Sequence, residues 1–209
     1  MSTMTTDRLV LRPWTSDDVQ FVFDMYSRWV VQRLIGTNPQ VMTHVEQAVH
    51  AVELWNAVRA PQGCWAVTLA ETGEPVGNCM LRLLPASGEE PLQPSADTEI
   101  VWHLHPDHWG HGYATEAARR VLEHGFENGL AQIYAVVNSA NESSIRVCGR
   151  LGMEDLGSSD AYYNANVALF VARDPNLTGT DERAAAGESG IDARRSMESA
   201  GSVEGAAGE

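Results

Sequence analysis

The stretch 99–117 constrains this chain more than any other. It runs Glu99-Ile100-Val101-Trp102-His103-Leu104-His105, then Pro106-Asp107-His108-Trp109-Gly110-His111-Gly112, then Tyr113-Ala114-Thr115-Glu116-Ala117. That is an apolar strand, a tight glycine-bearing loop and a helix start. Gly110 and Gly112 let backbone N–H groups approach a ligand without interference from a Cβ. The helix that follows aims its positive N-terminal end at the same spot. A phosphate or pyrophosphate suits such a junction, which points to a nucleotide-like ligand.

Two familiar versions of this junction do not match. A dinucleotide fingerprint calls for glycine at 115, where Thr115 stands. A phosphate-binding P-loop calls for lysine, and the chain has none: all 14 basic residues are arginine. What remains is a cradle of backbone amides with the Thr115 hydroxyl as an extra donor. With 28 acidic residues the formal net charge is -14. That balance argues against nucleic acid as a direct partner, because phosphate contacts need clustered cations. It is compatible with a cationic amine, which a negative field attracts.

No apolar run approaches the roughly 20 residues of a membrane span. Residues 1–8 carry neither a basic region nor an apolar stretch of a secretion signal, so the chain is expected to be cytoplasmic. Cys64, Cys79 and Cys148 are odd in number and widely spaced, as free buried thiols are. Residues 176–209 are rich in Gly, Ala, Ser and Glu and have no apolar face, so an acidic, low-complexity disordered tail is expected there after one domain over 1–175.

Within that domain apolar periodicity switches repeatedly between two and 3.6 residues. Strands are expected over 9–13, 65–70, 75–83, 98–105, 132–137 and 167–172. A turn at 71–74 joins the second and third as a hairpin, and three prolines mark 85–94 as a loop. Thr15 or Ser16 caps a helix with Val19, Val22, Phe23 and Tyr26 on one stripe. Thr43 and Glu46 form a capping box before a stripe of Val45, Ala48, Val49, Val52 and Trp55. Ala114, Ala117, Ala118, Val121, Leu122 and Phe126 mark a third helix, and 141–151 a fourth, ended by Gly152. The order β-α-α-β-β-β-α-β-α-β predicts an α/β fold with a mixed sheet covered by helices.

At these residues the chain resembles a family. Residues 109–117 are similar to the (Q/R)xxGx(G/A) acyl-CoA motif of the GNAT superfamily of N-acetyltransferases. Asn141-Glu142-Ser143-Ser144 with Leu151-Gly152-Met153 resembles its NxxS…LG(F) element. Leu9-Val10-Leu11-Arg12-Pro13-Trp14 resembles the opening strand of the RimJ/RimL type, which acts on ribosomal-protein N-termini. The resemblance runs from about Thr6 to Asp174.

The resemblance implies a mixed, mostly antiparallel, splayed sheet flanked by helices, with acyl-CoA in the gap between two parallel strands. It implies that the backbone of Trp102, His103 and Leu104 pairs with the pantetheine arm. Trp109, Gly110, His111, Gly112, Tyr113, Ala114 and Thr115 would hold the pyrophosphate, and Asn141 and Ser144 would contact the arm beyond the second strand. Trp109 stands where the motif has Gln or Arg, which leaves phosphate recognition to backbone amides and to partial positive charge on His111. Cys148 stands where many relatives carry a tyrosine that protonates the leaving thiolate. Cys148, Ser144 or water is thus the candidate acid. Dimers are common among such relatives.

The implied activity moves an acetyl group from acetyl-CoA to a primary amine by direct attack. The amine, a protein N-terminus or a small molecule, must first lose a proton. An α-amine (pKa about 7.7–8.0) loses it more readily than a lysine side chain (about 10.4). Glu99 is the candidate general base, since a carboxylate in an apolar strand needs a reason and this position often carries Glu in the family. Backbone N–H groups near Leu104 are candidates for stabilising the thioester oxyanion. His103 or His105 is a candidate second base. His103, His105, His108 and His111 lack the spacing of a metal-ligand set, so no metal is expected. The alternatives are an idle acyl-CoA-binding sensor, use of another acyl-CoA, or modification of a cationic antibiotic.

Overall fold

A computed structural model describes residues 2–177. The tail expected over 176–209 lies, from 178 on, outside the described residues.

The chain begins with a two-residue strand β1 (Met4–Thr5) and β2 (Leu9–Arg12). Three helices follow: α1 (Val19–Ser27), the short α2 (Trp29–Gln32) and α3 (Val45–Ala57). Next come β3 (Gly63–Leu69), β4 (Pro75–Pro85) and β5 (Pro94–Leu104), then α4 (Tyr113–Glu127) and β6 (Gln132–Val137). The order closes with α5 (Glu142–Leu151), β7 (Glu154–Ser159) and β8 (Val167–Arg173). Among the described residues these strands make one sheet, in the order β1-β2-β3-β4-β5-β6-β8-β7. Every neighbouring pair is antiparallel except β5 and β6, which run parallel.

Both faces of the sheet are covered, so β3 is buried along nearly its whole length, as a central strand under two layers must be. One face packs Leu9, Leu11, Trp65, Val67, Leu81 and Ile100 against Ala117, Ala118, Val121 and Leu122 of α4. The other packs Cys64, Ala66 and Met80 against Val22, Met25 and Tyr26 of α1 and Ala48 and Val52 of α3. Gly77 on β4 has no room for a side chain. A Cβ there would press on the His103 carbonyl oxygen and sit 2.8 Å from the Leu104 Cα, so β5 lies as close to β4 as a bare backbone permits.

Three local expectations shift. The box at the start of α3 uses Gln47, not Glu46: the Gln47 side-chain oxygen accepts from the Thr43 and His44 N–H groups at 2.7 and 3.0 Å. Val49 is exposed, and Ala48 and Val52 carry the buried face of α3. β7 has no apolar alternation to betray it, because as an edge strand it is exposed along most of its length and leans on β8 for pairing.

The start of α1 is tied to the end of β2 by a bidentate ion pair. Arg12 donates to both carboxylate oxygens of Asp18 at 2.7 and 2.8 Å, and Asp18 also accepts from the Thr15 N–H and hydroxyl. Burial alone would raise the Asp18 carboxyl. The bonds from Arg12 and Thr15 outweigh it and hold the group below the usual carboxylate range. Asp18→Asn should therefore destabilise the fold by about 2 kcal/mol at neutral pH, a value reduced from that of a fully buried pair because Arg12 is partly solvated. A group held below its unfolded pKa contributes stability that is complete above that value and is lost as pH falls through the folded one. Urea unfolding of both proteins should thus show the gap at pH 7 narrowing below about pH 4.

Candidate active site

β5 and β6 meet at one registered pair, Glu99 with Tyr134, and diverge beyond it. Two cavities open along the divergence. The first, of about 450 Å³, is lined by Ile100, Val101, Trp102 and His103 on one strand and Ala135, Val136 and Val137 on the other. Arg33 to Thr37 and Pro39 close one end, and Tyr163, Ala165 and Asn166 another. The second cavity, of about 670 Å³, is lined by Trp102, His103, Leu104, His108 and every residue from Trp109 to Thr115. Asn141 and Ser144 line both.

The second cavity is lined by cations and backbone donors. Gly110 and Gly112 have φ of 83° and 81°, so the loop uses the left-handed conformation that glycine adopts without strain, and Gly112 caps α4. The buried Thr115 hydroxyl oxygen has no hydrogen-bond partner among the described residues. Arg33, Arg146 and Arg150 line this space and no carboxylate does, in a chain of net charge -14. A polyphosphate-bearing ligand fits a left-handed amide loop, an uncommitted hydroxyl and three guanidinium groups.

The side chains at the loop are themselves braced. The Trp109 indole N–H donates to the Leu104 carbonyl at 2.8 Å, so its single donor is already used and its ring forms wall. His111 stacks on Tyr113, and the Arg8 guanidinium lies over the other ring at 4.9 Å from its centroid while pairing with Glu116. Asn141 caps α5, its side-chain oxygen accepting from the Ser144 N–H at 3.1 Å.

Glu99 lies in the first cavity and is 2% exposed. Arg82 Nε donates to its Oε1 at 2.7 Å, and the Tyr163 hydroxyl donates to the same oxygen. Arg82 Nη2 also donates to the Tyr163 oxygen at 3.0 Å. Burial pushes the Glu99 carboxyl above the usual range, against the pull of Arg82 and Tyr163. Tyr163 has φ of 61° and Asn164 of 50°, a conformation costing about 1–3 kcal/mol each outside glycine. The Asn164 side chain holds the turn by exchanging two bonds with the Gly88 backbone, at 2.9 and 3.0 Å.

Three expected residues sit differently. Cys148 lines neither cavity; it faces the core, fully buried, and burial pushes its thiol up to about 12. It is poorly placed to protonate a leaving group in the cleft. His105 also lines neither cavity: its Nε2 bonds Asp24 at 2.8 Å and its Nδ1 accepts from the Asp107 N–H. His103 does line both, but its Nδ1 is bonded to the Tyr26 hydroxyl at 2.7 Å and the ring is pushed down to about 3 by burial and by Arg82. Neither histidine is available as a base. Arg82 and Tyr163 were not foreseen. Arg82 had a readable signal, a lone cation in the apolar run Asn78-Cys79-Met80-Leu81-Arg82-Leu83 that could answer Glu99. Tyr163 had none beyond the tyrosine pair that precedes the last strand.

Residues 8–154 match the family described as acetyltransferase (GNAT) domain. The chain belongs to the GNAT acetyltransferases. It is 30% identical over 166 residues to the uncharacterized N-acetyltransferase YoaA of Bacillus subtilis, a match that covers 78% of this chain and 89% of that one. Among solved structures it is similar to the acetyltransferase of Agrobacterium tumefaciens, with TM-score 0.66 and 23% identity over 83% of this chain and 95% of the other. It is also similar to RimL, a ribosomal alpha-N-protein acetyltransferase solved with coenzyme A, with TM-score 0.64 and 16% identity over 82% of this chain and 98% of that one. As a GNAT enzyme it shares the splayed, mostly antiparallel sheet described above.

Thr115→Val gives a clean test of the anion cavity. The hydroxyl has no internal partner, so the free protein should keep its stability within about 0.5 kcal/mol. The dissociation constant for coenzyme A, measured by titration calorimetry, should rise about tenfold through loss of one bond to a charged group.

Proposed function

We propose that this GNAT enzyme transfers the acetyl group of acetyl-CoA to a primary amine, with Glu99 as general base. The observation that carries the reading is the meeting of the arginine-lined, carboxylate-free second cavity with the first cavity, which holds a buried carboxylate. Acetyl-CoA supplies the activated acyl group and a thiol leaving group. The 109–115 loop, Thr115 and the arginines hold its phosphates, and the free edge of Trp102, His103 and Leu104 pairs with its amide-bearing arm. Glu99, raised by burial, takes the amine proton directly or through water. Ser144 or water returns a proton to the thiolate. Three free thiols and the lack, among the described residues, of any helix long and apolar enough to cross a membrane fit work in the reducing cytoplasm.

The acceptor we favour is a peptide α-amine, as in the RimJ/RimL type. Its amine deprotonates near neutral pH. The first cavity offers Thr37, Asn138, Ser139 and Asn166, polar groups suited to peptide amides. Its charged residues are Arg33, Arg82 and Glu99, and Glu99 is paired with Arg82. No carboxylate is left to receive the further amines of a polycationic antibiotic, whatever the charge of the outer surface.

Release of free thiol from acetyl-CoA against a panel of peptide N-termini and aminoglycosides tests the reading. Peptides should be turned over and aminoglycosides should not. Binding of acetyl-CoA with no thiol release from any amine would instead indicate a sensor. With an active peptide, Glu99→Gln should lower kcat about 10²–10⁴-fold and leave acetyl-CoA affinity nearly unchanged. The acid limb of kcat should lie above the ordinary carboxylate range, because the base works only when ionised and burial raises it. Equal turnover by the Gln variant would remove Glu99 from the role.

A further inference from the structure

Seven residues line both cavities: Arg33, Leu34, Ile35, Trp102, His103, Asn141 and Ser144. Under the reading proposed above, the acyl group must cross this shared wall. Strand alternation sets His103 on the face of β5 that carries Glu99, and Trp102 on the opposite one. The His103 ring is held from behind. Asn78 Nδ2 donates to the Tyr26 hydroxyl at 2.6 Å, and that hydroxyl lies 2.7 Å from His103 Nδ1, which leaves the phenol proton free to be given to Nδ1, the direction we assign. Tyr26 stands edge-on to the imidazole, with ring centroids 5.7 Å apart. A neutral imidazole that accepts at Nδ1 carries its proton on Nε2. Nε2 makes no bond within the described residues, and the ring borders both cavities.

We propose that His103 is a catalytic residue that acts as a fixed, uncharged N–H donor to the thioester carbonyl oxygen. As the amine nitrogen adds to the carbonyl carbon, the C=O electron pair moves onto oxygen, where the Nε2–H bond strengthens. The pair then returns, the C–S bond breaks with its electrons on sulfur, and the amide C–N bond remains. The amine proton leaves to Glu99 and a proton reaches the thiolate; His103 gains and loses none. A neutral imidazole used in this way is an established means of polarising a carbonyl, and the donor is oriented before the charge develops.

The surroundings keep the ring neutral. Arg82 on β4 and Arg33 after α2 are the cations near it, Tyr26 of α1 and Asn78 of β4 are uncharged, and Asn141 and Ser144 at α5 carry no charge. Glu99, on the same strand, is engaged by Arg82. No carboxylate contacts the ring among the described residues.

The test has a spectroscopic arm and a kinetic arm. Nitrogen-15 NMR of the free protein should show His103 as the Nε2-protonated tautomer, with no titration between pH 8 and about pH 4 (burial and Arg82 push it down to about 3). Tyr26→Phe should release the tautomer, so that the proton is shared between Nδ1 and Nε2, while burial and Arg82 still hold the ring below the ordinary histidine range. A proton on Nδ1, or ordinary titration in the unmodified protein, overturns the proposal. In kinetics, His103→Leu should lower kcat about 10²–10³-fold with acetyl-CoA affinity within about threefold. His103→Gln, which keeps an N–H donor, should recover at least about tenfold of that loss. Equal kcat for the Leu variant and the unmodified enzyme overturns the assignment even if the tautomer is as stated. If acetyl-CoA fails to bind the unmodified protein, the functional reading falls and takes the donor role with it, while binding beside an ordinary His103 overturns this proposal alone.

Discussion

Everything at the site depends on the parting of two parallel strands. β5 is locked to β4 along its length, with Gly77 leaving no slack, and β6 is locked to β8. The twist of the two half-sheets then draws β5 and β6 apart beyond Glu99 and Tyr134. Backbone donors and acceptors on the parted edges still need partners. An interior edge of this kind invites an extended chain that carries amides of its own. Two helix N-termini, those of α4 and α5, begin beside the same gap. The sheet thus creates the opening, and the helices give it electrostatic polarity.

Charge is sorted at this opening against the overall composition. Acidic residues outnumber basic ones two to one, yet the second cavity carries three arginines and no carboxylate. The one carboxylate of the first cavity sits among competing influences. Burial favours its protonated form, while Arg82 and Tyr163 favour the ion. A carboxylate balanced in this way can accept a proton without being quenched by its partners. The strained backbone at Tyr163 belongs to the same balance, since the bonds of Asn164 to Gly88 and Ser87 and of the Tyr163 N–H to Pro85 help keep the phenol over Glu99.

Legibility in the sequence followed the range of the interaction. Stripes such as Ala117, Ala118, Val121 and Leu122 are set by local period, and they marked α4 correctly. The left-handed glycines before α4 and the Asn141 cap of α5 are likewise short-range features. β7 escaped notice because edge pairing supplies what its side chains do not. Gln47 displaced Glu46 by one position, because its side-chain oxygen reaches both the Thr43 and the His44 N–H groups. At the site, Glu99 stood out as a charge in an apolar strand, but its partners Arg82 and Tyr163 are 17 and 64 positions away. The character of His103 was unreadable for the same reason. Whether it serves as base or donor turns on Tyr26, 77 residues earlier, which in sequence looked like one more member of a helical stripe.

The all-arginine cation set has a chemical consequence at such a site. Arg82 touches the carboxylate proposed to deprotonate the acceptor, and Arg33 borders both cavities. A lysine in either place would present an ε-amine to the thioester and to the base that activates it. It would compete with the true acceptor and could end as an acetylated, uncharged stump. A guanidinium stays protonated throughout the working pH range and offers no nucleophilic lone pair. With no lysine anywhere in its 209 residues, the chain has no side-chain amine that its own chemistry could consume.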